Sequence, residues 1–230
     1  MKTFTIGKKK IVLKEEWMVG FITTWIVGLL AHAYRFFNFL PIWDSIYNFT
    51  GVGSTYTLGR WFLGYAGLIT SMFDLPWVNG AFSLFYISIV VILLTEMFEI
   101  KNKGMIVLCA AIFVSFPTVV SSFAYMYTAD AYLLAFLLAT LAVYLTWCVK
   151  KWGTIAGMVC LAFAMGIYQA YATVAIVLVL LYIIRQFVIE KLDFLEAVRK
   201  DLKYLGMLVG GAVLYAVILK ITLIRYNITL

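Results

Sequence analysis

The sequence predicts an all-α fold, a polytopic transmembrane helix bundle of about seven spans with a non-cytoplasmic loop that carries short interfacial helices. Three observations predict it. Apolar runs long enough to cross about 30 Å of hydrocarbon recur along the whole chain. Of the 230 residues 65% are apolar and 13% charged, whereas about a quarter are charged in a water-soluble domain. Lysines and arginines gather in alternate loops, as the positive-inside rule requires.

The first element is a basic segment, residues 1–16, followed by an apolar run at 17–34. A secretory signal peptide has a shorter apolar core and a small-residue cleavage site. This run is bounded by Trp17 and by Tyr34-Arg35, so it reads as a retained helix. Further runs fall at 78–98, 105–123, 130–149, 154–168, 170–188 and 204–224. Helices are expected for all of them, because an unpaired amide in lipid costs several kcal/mol and barrel strands would alternate. The patch from Trp61 to Phe73 carries two glycines and is too short to span, so it is expected to be interfacial or re-entrant.

Orientation follows from the cations. With a cytoplasmic amino terminus, the inside segments hold Lys2 to Lys14, Lys101 and Lys103, Lys150 and Lys151, and the stretch from Arg185 to Lys203. The outside keeps Arg35, Arg60 and Arg225, with Lys220 near the outer end of the last span. The domain reading is therefore a cytoplasmic segment at 1–16 and a transmembrane domain at 17–230, with an outer loop at 35–77. Residues 185–203 mix apolar and charged positions and are expected to form an amphipathic segment on the cytoplasmic leaflet.

Several function classes are excluded by composition. The net charge of +7 would suggest nucleic acid in a soluble protein, but here the lysines lie between apolar runs, so no nucleic-acid partner is expected. Cys109, Cys148 and Cys160 stand in apolar stretches without C-x-x-C spacing and read as small lipid-facing or helix-packing residues. His32 is the single histidine, so no metal site is expected. Phosphate-cradling glycine loops, G-x-S-x-G and H-E-x-x-H are missing from the sequence.

The polar chemistry concentrates in the outer loop. Asp44 lies in Leu-Pro-Ile-Trp-Asp-Ser, where partial desolvation would strengthen it as a base. It reads equally as the cap of a short helix. Arg60 opens an aromatic segment, where it suits a phosphate or snorkels to lipid headgroups. On later outer turns stand Tyr125 and Asp130, in Tyr-Met-Tyr-Thr-Ala-Asp, and Gln169, in Gly-Ile-Tyr-Gln-Ala-Tyr. Capping and hairpin geometry compete with function at each. His32, near the outer end of the first span, reads as a polar packing residue.

At this point the chain resembles the GtrII-like glucosyltransferases of bacterial membranes, members of the GT-C class. The likeness is carried by Trp43-Asp44-Ser45, by Leu58-Gly59-Arg60-Trp61 and by Leu75-Pro76-Trp77-Val78-Asn79-Gly80. Ser115-Phe116-Pro117-Thr118, Phe123-Ala124-Tyr125-Met126-Tyr127, Asp130-Ala131-Tyr132 and Gly166-Ile167-Tyr168-Gln169-Ala170-Tyr171 are similar too. The resemblance implies an enzyme of the bacterial inner membrane that moves a hexose, glucose in this family, from a polyprenyl-phosphate carrier to a surface polysaccharide such as O-antigen, or to a glycolipid, at the outer face. Asp44 matches the catalytic base and Arg60 the contact to the donor phosphate. Trp61, Tyr125, Asp130 and Gln169 stand in the matching motifs as substrate-binding positions. No cofactor is implied beyond the lipid-linked sugar, which is itself substrate.

The chain departs from the family's pattern in two places. Many relatives carry paired acids where this one has Asp44-Ser45, and relatives usually continue with more spans and an outer domain, so this chain is expected to be their amino-terminal half. The alternative reading is a transporter or flippase of lipid-linked sugars, which would place ionisable residues at mid-span and show internal repeats. A chain that merely occupies membrane is the third.

Overall fold

The computed structural model describes residues 2–6, 9–47, 55–70, 73–191 and 193–228. Parts of the expected outer loop, 48–54 and 71–72, lie outside the described residues. The fold is the expected all-α bundle, preceded by a small hairpin in the segment 1–16. Strand β1 (Lys2–Ile6) pairs antiparallel with β2 (Lys9–Leu13), from Lys2 opposite Leu13 to Ile6 opposite Lys9.

Ten α-helices follow among the described residues. Helix α1 spans Glu15–Phe37, α2 Trp43–Tyr47 and α3 Leu63–Ala66, which a 3-10 turn extends to Ile69. Helix α4 spans Pro76–Met97. It starts on Pro76, whose missing N–H costs nothing at a first helical position, and Asn79 Oδ1 accepts the Leu75 N–H at 2.9 Å. Helix α5, Lys103–Ser115, opens on Asn102, whose side chain accepts from the Met105 N–H at 3.1 Å.

The expected span at 105–123 is interrupted. Pro117 forces its predecessor out of the helical region, so Phe116 is extended at φ −64° and ψ 140°. The chain restarts as α6, Pro117–Ser122. A 3-10 turn at Phe123–Tyr125 then feeds α7, Met126–Cys148. Helix α8 is Gly153–Ile167, and α9 is Ala172–Arg185, prolonged by a π-helical turn to Glu190. Helix α10 runs unbroken over Phe194–Arg225. The segment expected to lie on the membrane surface at 185–203 is therefore divided, its first part ending α9 and its second forming the opening turns of α10. A left-handed residue, Lys191 at φ 52°, makes the bend between them.

Five helical stretches are long and apolar enough to cross a bilayer: Glu15–Phe37, Pro76–Met97, Pro117–Cys148, Gln169–Glu190 and Arg199–Arg225. Lys103–Ser115 and Gly153–Ile167 are apolar but shorter, so the expected count of about seven is met in length by five. Long-range bonds fix which ends lie together. At one end Lys14 pairs with Glu96 at 2.7 Å, Lys103 with Glu15 at 2.6 Å and Arg185 with Glu99 at 3.2 Å. At the other, Arg35 donates to the carbonyls of Phe123 and Ala124, and Asn79 reaches Asp130. The long rods alternate between a basic end and this second, loop-bearing end.

Helix α7 is central, packing against α4, α8 and α9, while α1 joins α4 to α5 and α10 lies on α8. Phe36, Leu84, Ile87, Val114 and Phe123 fill the space between the first helices. Ala142, Leu161, Val179, Tyr204 and Met207 fill the space among the last four. On the outside, α10 leaves Val209, Val213, Val217 and Ile221 exposed. Their spacing of four puts them on one face, an apolar stripe suited to lipid rather than water.

Candidate active site at the loop-bearing end

Arg60 is presented by a tight turn. The amides of Leu58 and Gly59 donate to Thr55 and Tyr56, and the Arg60 amide donates back to the Thr55 carbonyl at 2.9 Å. Gly59 adopts φ +74°, a left-handed conformation that a side chain would resist. Beyond the turn, Trp61 is 6% exposed, and its ring meets Phe163 edge-on at 5.2 Å. The Phe62 amide donates to the Gly166 carbonyl at 2.8 Å. Only a glycine fits at 166, since a Cβ there would stand 2.6 Å from the Trp61 ring. Leu63 and Ala66 then bury against Ala131, Ala135 and Ile167. The segment expected to be interfacial thus docks on α7 and α8, leaving Tyr65, Leu68 and Ile69 exposed.

These contacts aim Arg60 into a cavity of about 620 Å³, whose lining also includes Asp44 and Tyr125. Its guanidinium carbon lies 4.5 Å from the centroid of the Tyr168 ring, a cation–π contact. Nη1 approaches the Tyr132 hydroxyl at 3.4 Å. The buried Nε–H has no hydrogen-bond acceptor among the described residues. Among the described residues no carboxylate is ion-paired with Arg60. Asp44 belongs to the short helix α2 and is exposed, more open to water than its apolar sequence neighbours suggest. The helix is closed locally by Ser45, whose Oγ accepts the Ile42 N–H at 2.8 Å.

The remaining expected site residues have other surroundings. Trp61 is the wedge beneath the Arg60 turn and does not line the cavity. Asp130 is 2% exposed; its Oδ1 accepts from Asn79 Nδ2 and its Oδ2 from Thr70 Oγ1, both at 3.1 Å. It joins α7 to α4 and to the end of the docked loop, outside the cavity lining. Gln169 donates to the Leu58 carbonyl at 2.6 Å and to the Tyr215 hydroxyl at 2.9 Å. His32 is buried, with Nε2 2.9 Å from the Val114 carbonyl. That nitrogen must carry the proton, because a carbonyl only accepts.

Much of the cavity wall stands outside the expected site residues, although several of its tyrosines lie in the motifs that carry the resemblance. Ser121 and Ser122 from α6, Tyr127 and Tyr132 from α7, and Tyr168 and Tyr171 beside α9 all line it. Tyr168 is extended, at φ −159° and ψ 121°, before the short turn Gln169–Tyr171, and its ring lies 6.2 Å from that of Tyr171; their place in one motif is the signal that pairs them. Leu133, Phe136 and Val174 are apolar members of the wall, and Thr118 and Thr173 also belong to it. Phe136 lies ten residues into α7, about 15 Å along the axis, so the cavity runs from a polar mouth to an apolar floor.

Two groups on the loops near the site have shifted acidity. Burial pushes the Asp74 carboxyl up, while the Arg35 charge and the Ser45 hydroxyl pull it part of the way back. Burial, with Tyr226 and Tyr65 nearby, pushes the Tyr56 phenol up to about 12. No group of three or more His, Cys, Asp or Glu residues able to hold a metal ion occurs among the described residues.

Arg60 and Asp44 in a cavity walled by tyrosine rings form an arrangement able to hold an anion beside a carboxylate. Comparison with curated proteins gives no match, and comparison with solved structures gives none either. The family model described as Glucosyl transferase GtrII matches residues 33–230, which include the Arg60 turn, α2 and every wall of the cavity, and the chain belongs to that family of glucosyltransferases.

Proposed function

We propose that this membrane glucosyltransferase takes glucose from a polyprenyl-phosphate carrier and delivers it, with inversion, to a surface polysaccharide or glycolipid at the outer face of the bacterial inner membrane. The observation that carries the reading is that Asp44 and Arg60, distant in sequence from the helices that wall them, line one cavity. The Asp44 carboxylate takes the proton of the acceptor hydroxyl as its oxygen attacks the anomeric carbon. The bond from that carbon to the phosphate oxygen breaks, and the carrier leaves as a phosphate with one more negative charge. Arg60, on the cavity wall and in no ion pair among the described residues, meets that charge. The tyrosine rings suit the faces of a sugar, and the apolar floor at Leu133, Phe136 and Val174 suits the first isoprene units.

Orientation rests on charge. The end opposite the cavity holds Lys14, Lys103 and Arg185 in ion pairs, together with Lys150, Lys151 and Lys200 in the sequence. This favours a cytoplasmic basic end with the amino terminus inside, and a cavity opening outward. Family membership weighs against the transporter reading, and the two predict different products.

The test is transfer from labelled polyprenyl-phosphate glucose in proteoliposomes. Asp44→Asn should lower kcat by about 10²- to 10⁴-fold, the usual contribution of a general base. Transfer at the wild-type rate by that variant would remove Asp44 from the mechanism. Movement of the lipid-linked sugar across the bilayer without covalent transfer would favour a flippase.

A further inference from the structure

Helix α10 takes part in the site although no residue of it lines the cavity. Near its loop-bearing half, Tyr215 donates its hydroxyl hydrogen to the Gly59 carbonyl at 3.0 Å. The same oxygen accepts from Gln169 Nε2 at 2.9 Å, and the second hydrogen of that amide goes to the Leu58 carbonyl at 2.6 Å. Two consecutive carbonyls, those immediately before Arg60, are therefore gripped by one tyrosine and one glutamine that also bond to each other. Gly59 is pressed into this grip: a Cβ on it would stand 2.4 Å from Gln169 Nε2 and 2.5 Å from the Tyr215 hydroxyl. Further along, Tyr56 stacks on Tyr226 with centroids 4.9 Å apart and planes 14° from parallel. Both ends of the turn are thus held, one by Tyr215 of α10 and Gln169, the other by Tyr226 just past the end of α10.

We propose that Tyr215 and Gln169 are positioning residues for donor binding. They fix the turn so that the Arg60 guanidinium lies over the Tyr168 ring at the cavity wall. The proposal rests on the reading of Arg60 as the donor-phosphate contact. Without the grip, the turn has only its own amide bonds to Thr55 and Tyr56 to hold it, and it opens more often because it is no longer tied to α10 at that point. Arg60 then samples orientations in which it does not meet the phosphate, and the donor binds more weakly for the fraction of time it is misplaced. Once bound, the donor phosphate holds Arg60 in its seated orientation, so transfer from the bound complex, in which Arg60 meets the leaving charge, proceeds as before.

The full chain in proteoliposomes tests this with Tyr215→Phe, which keeps the ring and removes the hydroxyl at the centre of the grip. Donor KM, measured with labelled polyprenyl-phosphate glucose, should rise about fivefold to tenfold, the effect of one to two ordinary hydrogen bonds, with kcat within about twofold. In an Arg60→Ala background the same replacement should change KM no further, since the grip acts through Arg60. Hydrogen exchange at the amides of Leu58, Gly59 and Arg60 should accelerate while that of α4 stays as it was. Unchanged exchange at those amides, or an equal rise in KM with and without Arg60, would overturn the grip. Accelerated exchange combined with a donor KM that Arg60→Ala itself leaves unmoved would overturn the donor role of Arg60, and the proposal with it, by a result distinct from the first two.

Discussion

Replacing Asp130 decides whether this acid touches substrate or holds the frame. Asp130, Asn79 and Thr70 are 2%, 0% and 2% exposed, so water cannot substitute for a lost partner. Asp130→Ala deletes two hydrogen bonds to a carboxylate, each about 1.5–3 kcal/mol, and strands a buried amide. Removing a carboxylate from a buried site returns part of that loss. The Thr70 hydroxyl also has the Gly67 carbonyl at 3.4 Å as a weak alternative. A net destabilisation of about 3 kcal/mol remains, equivalent to a fall in Tm of about 6–12 °C for a chain of this size. Asp130→Asn keeps the shape and the bond from Asn79, and Thr70 can turn its hydroxyl to accept, so its cost should be about 1 kcal/mol. Thermal unfolding in nanodiscs measures both variants, and donor KM is measured well below the transition. Asp130→Asn should lower Tm by a few degrees with KM unchanged. A tenfold rise in donor KM at an unaltered Tm would refute the structural assignment and make Asp130 a substrate contact.

Gly166→Ala gains about 1 kcal/mol of helix propensity but drives a methyl to 2.6 Å from the Trp61 ring and 3.1 Å from Phe62 Cβ. Overpacking of that kind costs about 1–3 kcal/mol; the variant should melt lower and bind donor more weakly through the displaced Arg60 turn, and a raised Tm would contradict the packing argument. Asp74 gives a pH dependence of known sign. Its folded-state pKa is raised above the ordinary 3.8 by burial, so the folded state binds protons more readily than the unfolded one. The contribution is therefore favourable below that ordinary value and is lost as pH rises through the raised one. Asp74→Asn should flatten the stability profile across that window, as seen in Tm measured from acid towards neutral pH; an unchanged slope would show that Asp74 titrates normally.

Helix positions were legible because span length and apolarity leave few alternatives in a bilayer. The rod from Glu15 to Phe37 and that from Pro76 to Met97 lie within a few residues of their expected bounds. The break at Phe116 was legible in principle from Pro117, yet apolar length alone joined the two pieces. Nothing in the alternation of residues 1–16 with lysine suggested a hairpin over the reading of a polar tail. In the site, Asp44 and Arg60 could be placed on the same side by topology alone. Their neighbours could not, because a tyrosine in an apolar helix reads the same whether it lines a cavity or a core. Asp130 and Gln169 show the converse: a polar residue on an outer turn reads the same whether it faces a ligand or another loop. Tyr215 lies far from Gly59 along the chain, and no local pattern marks a bond of such sequence separation.

The two ends of the bundle handle charge in opposite ways, and this bears on why Arg60 can act. At the basic end the half-buried cations among the described residues, Lys14 and Arg185, meet carboxylates, and Glu96 also accepts from Trp17 at 2.6 Å. Such pairs neutralise charge and tie helices together, but they leave little field for a ligand. At the loop-bearing end the buried acid, Asp130, is bonded to neutral partners, Asn79 and Thr70. Arg35 donates instead to carbonyls, among them those of Leu40, Phe123 and Ala124. Arg60 rests on the face of Tyr168, a contact worth about 0.5–2 kcal/mol that leaves the positive charge in place. An ion pair there would hold the guanidinium more firmly, but an incoming phosphate would have to break it. A neutral aromatic seat together with a grip on the backbone fixes the group without cancelling its charge. The same logic requires that introducing an acid beside Arg60, as in Tyr168→Glu, weaken donor binding more than Tyr168→Leu does, although the leucine also removes the ring.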